Sequence, residues 1–199
     1  MTTWFTADTH FGHGGALGLF RRPFEGVAAM DEAMVARWNE TVAPHDDVWH
    51  LGDFALAPPE RMVALFERLR GRKRLVVGNN DTAGTRSLPW DEVTDYAETA
   101  VDGLSLVLCH YPLRSWKNDG RGWWNLHGHS HHRLKPLTRQ RDVGVDGFDF
   151  RPVGAGTLAR RWPPSRLLDP RAPKREQPRA PGQPRAPRGV EGKTEGTEP

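Results

Sequence analysis

The chain has 199 residues, 37% of them hydrophobic, which is enough for one domain with a substantial core. The single cysteine excludes an internal disulfide, and no run approaches the roughly 20 apolar residues of a membrane span. The net charge of +3 arises beyond residue 162, where eight Lys and Arg face five Asp and Glu, whereas residues 1–162 carry 20 of each sign. We therefore expect a soluble, cytoplasmic protein with a neutral domain and no membrane partner.

Strands and helices alternate in the first half of the predicted structure. Met30, Met34 and Trp38 stand near helical spacing, and Gly71 follows a helix that two prolines open. The predicted elements are a strand at 3–7, a glycine-rich loop at 11–26, a helix at 27–42, a strand at 48–51, a helix from 58–59 to 70, and a strand at 75–77.

The second half is predicted to be mostly strands. The pair Asp102-Gly103 lies between two apolar runs and is typical of a hairpin, because these residues tolerate positive φ in tight turns. The predicted strands are 97–101, 104–109 and 124–126, followed by closing strands over 142–150. Early helices followed by strands favour a sandwich of two sheets flanked by helices.

The composition changes after Trp162, where proline and arginine dominate and Pro-Arg-Ala-Pro occurs three times. Such a segment cannot build a core, so we expect a domain at 1–162 followed by a disordered tail at 163–199. The alternative interpretation is that the repeats form a docking motif or a motif that binds an anionic partner weakly.

Five short polar segments each follow an apolar run that is predicted to be a strand. Open α/β folds place their chemistry at the ends of strands, so these segments are expected to gather along one edge. Carboxylate, imidazole and amide groups without a thiolate favour Mn, Fe, Zn or Ni over a soft metal. The seven candidate ligands are Asp8, His10, Asp53, Asn79, His110, His129 and His131.

These segments, in this order, resemble the calcineurin-like metallophosphoesterases, whose pattern reads D-x-H, G-D, G-N-H-D or E, H, G-H-x-H. The resemblance extends over about residues 4–153 and includes His110-Tyr111-Pro112 and Gly144-Val145-Asp146, which is typical of the small bacterial or phage branch. One position departs from the pattern. Asn80 stands where the family usually has histidine.

The resemblance implies an α/β fold, a four-layer αββα sandwich of two mixed sheets flanked by helices. It also implies two divalent metal ions, with manganese favoured and Fe, Zn or Ni as alternatives, and Asp53 bridging them. The remaining ligands divide into Asp8, His10 and His131 on one ion and Asn79, His110 and His129 on the other. A metal-bound hydroxide would attack the phosphorus directly.

Further polar residues near the ligands are candidates for catalysis. His13 is a candidate contact to the phosphate or leaving group, Asn80 occupies the histidine position, and Asp81 is expected to hydrogen-bond a ligand. The alternative interpretations are an exposed loop imidazole for His13 and a turn residue for Asp81. His50 and His127 are expected to be hydrogen-bonded structural residues.

Loop cations and tryptophans flank the ligand segments. Arginine and lysine could receive phosphate oxygens, and a tryptophan could stack on a base, although solvated charge and core packing explain them equally well. These residues are Arg21, Arg22, Arg114, Lys117, Trp116, Trp123 and Trp124.

The sequence therefore predicts a metal-dependent hydrolase of small phosphodiesters or nucleotide-like phosphate esters. One alternative is a nuclease acting on DNA or RNA ends, which the neutral domain disfavours because nucleic-acid affinity comes mainly from phosphate neutralisation. The other is a catalytically weak binding scaffold of the same fold, with Asn80 as a sign of decay. The sequence leaves the oligomeric state open.

Overall fold

The computed structural model describes residues 1–160 of the chain. The predicted domain at 1–162 falls almost entirely within this range. The predicted disordered tail at 163–199, with its alternative role as a docking motif, lies outside the described residues.

Five strands form the first sheet. They are β1 (Thr3–Thr6), β2 (Asp47–His50), β3 (Arg72–Val76), β4 (Glu92–Thr94) and β9 (Val153–Gly154). Their order is β4-β3-β2-β1-β9. The pairs β1–β2, β2–β3 and β3–β4 are parallel, and β9 pairs antiparallel with β1, so the sheet is mixed.

Four strands form the second sheet, in chain order across it. They are β5 (Ala97–Val101), β6 (Leu104–Leu108), β7 (Trp124–His127) and β8 (Gln140–Asp142). The predicted hairpin is confirmed: β5 and β6 are antiparallel, and Asp102 and Gly103 have φ values of 51° and 78° at the turn. The pairs β6–β7 and β7–β8 are parallel, so this sheet is also mixed.

Five helices complete the described part. They are α1 (Gly15–Leu19), α2 (Val27–Thr41), α3 (Pro59–Arg68), α4 (Ala83–Arg86) and α5 (Ala155–Arg160). The two long helices agree with the sequence prediction, and α3 begins with proline at a position where the missing N–H costs nothing. Within residues 1–160, no helix is long and apolar enough to cross a membrane.

Two hydrophobic clusters hold the layers together. In the first, Met34 and Trp38 of α2 and Phe66 of α3 pack over Val48 of the first sheet. The second lies between the sheets and includes Phe5, Leu51, Val76, Leu106 and Leu126. The predicted class, α/β with two mixed sheets in a sandwich flanked by helices, is confirmed.

Two predicted segments differ from the structure, and α4, β4, β9 and α5 were not predicted. Residues 11–26 were expected to form a loop, but they contain α1, whose single short turn has too few apolar positions to show helical periodicity. The closing strands predicted over 142–150 are also partly wrong. Only β8 reaches residue 142; Val145–Gly147 is a 3₁₀ turn, and the last described strand is β9.

Candidate metal centre

All seven predicted ligands lie just beyond the carboxyl ends of strands. Asp8 and His10 follow β1, Asp53 follows β2, and Asn79 follows β3. In the second sheet, His110 follows β6, while His129 and His131 follow β7. The strand ends are tied together, since Ala7 bridges Gly144 and the backbone N–H of His129 donates to Asp8 Oδ1 at 3.1 Å.

Asp53 lies at the centre of this arrangement. Its Oδ2 is 3.6 Å from His10 Nε2, and its Oδ1 is 3.6 Å from His110 Nε2. The two oxygens of one carboxylate therefore face histidines from different sheets.

The remaining ligands divide into two groups around Asp53. Asp8, His10 and His131, the first ligand group, offer atoms within 4.8 Å of one another. Asn79, His110 and His129 form the second ligand group, in which Asn79 Oδ1 lies 3.0 Å from His110 Nε2 and 2.9 Å from His129 Nδ1. Asp8 also lies near the other side of the site, because Asp8, Asp53 and His110 offer atoms within 4.8 Å of one another. The division into two groups is the one that the family resemblance implies.

Hydrogen bonds fix which nitrogen two of these histidines can offer. His110 Nδ1 lies 2.7 Å from the carbonyl oxygen of Leu51, which can only accept, so Nδ1 carries the proton. His131 Nδ1 lies 2.8 Å from Asp146 Oδ2 and donates in the same way. In each neutral ring, Nε2 is left with a lone pair available to a metal.

The backbone at the ligands is unusual. The φ values are 56° at Asp8, 49° at His10, 61° at Asp53, 65° at His129 and 47° at His131. Non-glycine residues in this left-handed region are uncommon, and each costs of order 1–3 kcal/mol. Five of the seven predicted ligands adopt this conformation, as do seven other non-glycine residues among residues 1–160, so positive φ is frequent at the site but not confined to it.

Two glycines leave room for the ligands. Gly52 has a φ of 92°, and a Cβ there would lie 2.5 Å from His110 Nδ1. A Cβ on Gly78 would collide with Asp53 Oδ1. Each side chain would displace a ligand, so the glycines in Gly52-Asp53 and Gly78-Asn79 are required by packing.

Burial strongly perturbs the ionisation of the site. It raises the pKa of Asp8 well above the usual value, and the negative charges of Asp142 and Asp53 add to the shift. Burial also lowers the pKa of His10 to about 3. For Asp53, burial alone would raise the pKa, but hydrogen bonds from Asn80 and the neighbouring His110 hold it below the usual value.

The residues present fit divalent cations. Asp8 Oδ2 and His10 Nε2 are buried and have no hydrogen-bond partner among residues 1–160. His110 Nε2 and Asn79 Oδ1 face each other at 3.0 Å, as two ligands of one cation would. The donors are nitrogen and oxygen atoms, which suits borderline or hard ions. A cation would offset both the buried negative charge and the unpartnered acceptors.

The three predicted catalytic residues lie beside the ligands. Asn80 donates from its side chain to Asp53 Oδ2 at 2.6 Å. Asp81 accepts three backbone N–H groups, from Asp53, Phe54 and Gly78, and so joins the two ligand loops rather than orienting an imidazole. The His13 ring lies 5.4 Å from the His10 ring, and His13 Nδ1 is buried without a hydrogen-bond partner among the described residues.

The prediction for Arg22 requires correction. Arg22 was a candidate phosphate ligand or a solvated charge, but its side chain is fully buried and its donors reach protein acceptors. The stacking role of Trp116, Trp123 or Trp124 stays a prediction. Trp116 donates to Trp123 O, and Trp124 is partly buried and packs against the cluster between the sheets. Arg21 and Arg114 are exposed, and Lys117 pairs with exposed Glu98 at 2.6 Å.

The two structural histidines agree with their prediction. His50 is fully buried, and its Nε2 lies 2.9 Å from Thr9 Oγ1, while burial lowers its pKa to about 3. His127 is buried with Nδ1 2.8 Å from Gly128 O. Both remain outside the seven ligands.

Sequence reasoning missed two aromatic residues at the site. Phe20 stacks on His131, with ring centroids 3.5 Å apart and an interplanar angle of 11°. Tyr111 is 46% exposed and makes edge contacts with His129 and His110 at 4.8 and 5.0 Å. The sequence did contain a signal for Tyr111, namely its position directly after the predicted ligand His110.

The chain is similar to known proteins both in sequence and in structure. The calcineurin-like phosphoesterase superfamily domain matches residues 1–153. Protein MJ1445 of Methanocaldococcus jannaschii is 28% identical over 166 residues, covering 79% of this chain and 89% of that protein. The gene 66 protein of Mycobacterium phage D29 is 31% identical over 178 residues, with coverages of 73% and 88%.

The fold is similar to that of AQ665 from Aquifex aeolicus, a protein described as having unknown function. The TM-score is 0.66 and the identity 22%, with 80% of this chain and 98% of that one covered. The family match over most of the described residues shows that this chain belongs to the calcineurin-like phosphoesterase superfamily. Membership supports a hydrolase with metal-dependent phosphoesterase activity and a site for divalent metal ions.

Proposed function

We propose that this protein hydrolyses phosphodiesters or nucleotide-like phosphate esters at a centre of two divalent cations. The observation that carries the proposal is the position of Asp53, whose two oxygens each lie 3.6 Å from a histidine of a different ligand group. A carboxylate in this position is suited to bridge two ions.

The first ligand group and Asp53 would hold one cation, and the second ligand group and Asp53 the other. Two bound cations lower the pKa of water and neutralise charge on the attacking and leaving oxygens of a phosphoryl group. The oxygen and nitrogen donors are compatible with manganese, which we take as the preferred ion, and with Fe, Zn or Ni.

The protein's own residues would hold the centre and contact the ester. Asp81 fixes the loops that carry Asp53 and Asn79 through three backbone hydrogen bonds. Asn80 is exposed beside Asp53 and can donate to a phosphoryl oxygen but cannot protonate a leaving group. We assign the role of protonating the leaving group to His13. Its buried Nδ1 has no hydrogen-bond partner within residues 1–160, and its ring lies 5.4 Å from the His10 ring.

The substrate class is supported by the exposed ring of Tyr111 at the rim of the second ligand group. An aromatic ring beside a phosphoester site offers a stacking surface for a base or an aryl leaving group. We therefore favour substrates with a planar group next to the phosphate.

A substrate screen tests the proposal. The full-length protein is assayed with Mn, Fe, Zn, Ni and Mg in turn on nitrophenyl phosphate, bis-nitrophenyl phosphate, linear and cyclic nucleotides, dinucleotides and single-stranded oligonucleotides. We expect metal-dependent turnover of diesters or nucleotides that His129→Ala abolishes and that exposed His45→Ala leaves intact. Two bound metals without turnover would contradict the proposal and indicate a binding scaffold. Turnover confined to oligonucleotides would indicate a nuclease.

A further inference from the structure

The guanidinium of Arg22 makes an unusually complete set of contacts. Its side chain is 0% exposed, and Nε and Nη2 donate to the two carboxylate oxygens of Asp146 at 2.8 and 3.1 Å. Nη1 donates to the Thr9 carbonyl at 2.8 Å, and Nη2 donates to the Asp8 carbonyl at 2.6 Å. A planar guanidinium matches a carboxylate bidentately and has donors left for the two carbonyls.

These contacts lead to every member of the first ligand group. Arg22 holds the Asp8-Thr9 backbone that presents Asp8 and His10, and it holds Asp146, which accepts from His131 Nδ1 at 2.8 Å. A carboxylate behind a ligating imidazole fixes the ring and increases its basicity.

An aromatic residue adds to this support. Phe20 stacks on His131 at 3.5 Å, and the Arg22 guanidinium lies 5.4 Å from the centre of the Phe20 ring. Arg22, Asp146 and Phe20, the Arg22 network, thus contact one side of the candidate centre. Phe20 and Arg22 lie directly after α1, and Asp146 lies in the 3₁₀ turn that follows β8.

The second ligand group is held differently. Asn79 and His129 are exposed, and the ring of His110 is oriented by the Leu51 carbonyl rather than by a carboxylate. The amide of Asn79 is also a neutral ligand. The two groups therefore differ in pre-organisation and in negative charge, both of which affect metal affinity.

We propose that Arg22 and Asp146 are positioning residues that make the first ligand group the high-affinity metal site. The first ion then binds to Asp8, His10, His131 and Asp53, and the ion at the second group binds more weakly and exchanges faster. This inference rests on the proposed two-metal centre.

The test is a titration of the full-length protein, freed of metal by chelator, with Mn²⁺, in which the electron paramagnetic resonance signal reports free ions. We expect two binding steps for the wild type. Asp146→Asn keeps the shape of the side chain but loses its charge, and it should weaken the tighter step about 10- to 100-fold, as removal of such partners does. The weaker step should change less than threefold.

The matched control is Asp47→Asn. Asp47 is a buried carboxylate that pairs with Arg72 and Arg74 at 2.8 and 3.2 Å, but it lies at the amino end of β2, opposite the ligands. A purely structural role for Asp146 would make the two variants alike in Mn²⁺ binding. Asp146→Glu restores the charge and should recover at least part of the affinity of the tighter Mn²⁺ binding step. This variant also keeps the proposal testable if Asp146→Asn does not fold.

The outcomes separate the two proposals. A wild type that binds fewer than two Mn²⁺ ions overturns the two-metal centre itself. Two steps in the wild type, with the tight step unchanged in Asp146→Asn or equally weakened in Asp47→Asn, leave the two-metal centre standing and overturn the role of the Arg22 network.

Discussion

Asn80 donates to both oxygens of the Asp53 carboxylate, from its side-chain amide to Oδ2 at 2.6 Å and from its backbone N–H to Oδ1 at 2.8 Å. The family usually has histidine at this position. Asparagine at this position can form hydrogen bonds but, unlike histidine, cannot transfer a proton. Asn80 is also exposed.

Replacing Asn80 by histidine is expected to change the preference for leaving groups. Positioned acid catalysis contributes typically about 10²- to 10⁴-fold, and only poor leaving groups need it. Unless His13 already supplies the proton, Asn80→His should therefore raise kcat for alkyl or nucleoside esters by about 10-fold or more and should change little for nitrophenyl esters. Parallel kinetics on the two ester classes provide the measurement.

Asn80→Ala is the control for this experiment, because it removes the hydrogen bond to Asp53 Oδ2 without adding an acid. It should lower the rates on both classes alike. Equal gains on both classes in Asn80→His, or no gain with metals intact, would mean that the missing histidine does not limit this site.

Tyr111 is expected to contribute to recognition of the leaving group. Stacking of a base on an aromatic side chain is worth about 1–3 kcal/mol. Tyr111→Ala should raise KM for nucleotide substrates about 5-fold or more and leave KM for a small alkyl phosphodiester unchanged. Tyr111→Phe keeps the ring and should remain near the wild type on both. A loss in Tyr111→Phe as large as in Tyr111→Ala would assign the effect to the hydroxyl group.

Metal removal should destabilise the domain. Asp8 Oδ2 and His10 Nε2 are buried without hydrogen-bond partners in the described part of the chain, and burial alone disfavours the charge on Asp8. A ligand present at 100 times its Kd stabilises the folded state by about 2.7 kcal/mol, so chelation should lower Tm by several degrees. Scanning calorimetry with and without Mn²⁺ measures this. The same Tm in both conditions would argue against metal binding by the folded state.

Asp46 provides a pH-dependent contribution to stability far from the site. Hydrogen bonds from Thr2 N, Trp4 Nε1 and Ala43 N lower its pKa to about 2. This lies below the unfolded value of about 3.9, so the contribution is present above pH 4 and is lost as the pH falls toward 2.

Asp46→Asn should accordingly lower Tm by about 2–4 °C at neutral pH, because an amide cannot accept all three hydrogen bonds. The difference between wild type and variant should shrink between pH 4 and pH 2. Thermal unfolding across this range measures it, with Asp102→Asn in the exposed hairpin turn as a control. A difference that persists unchanged at pH 2 would show that the charge of Asp46 is not responsible.

The positions of the candidate ligands at one edge of the sheets could be predicted from the sequence, because each candidate is local to a strand end. Asp8 and Asp53 follow apolar runs, and the topology of parallel strands brings such ends together. The hairpin at Asp102-Gly103 and the helix containing Met34 and Trp38 were likewise encoded in short patterns.

The supporting contacts were not predictable in this way. Arg22 and Asp146 are separated by 124 positions in the sequence, and nothing in the local pattern of either residue indicates the other. The sequence placed Arg22 in a polar loop, where a charge is usually solvated, and the burial of its side chain depends on the position of α1. Asp146 stands in the family motif Gly144-Val145-Asp146, and the apolar residues around it favour a strand, whereas the structure has a 3₁₀ turn there.

Asp53→Asn is the most direct test of the central claim that one carboxylate is shared by two ions. The substitution removes the only negative ligand that both groups would share. Asparagine has nearly the same size and shape as aspartate, so the packing around position 53 should be kept. Metal content per chain and turnover of a nitrophenyl diester are measured on the same preparation, with Asp47→Asn as the control. We expect fewer than two metals per chain and a loss of turnover greater than about 100-fold, larger than the changes produced by residues behind the ligands. Two metals still bound at near-normal activity would contradict the shared role of Asp53.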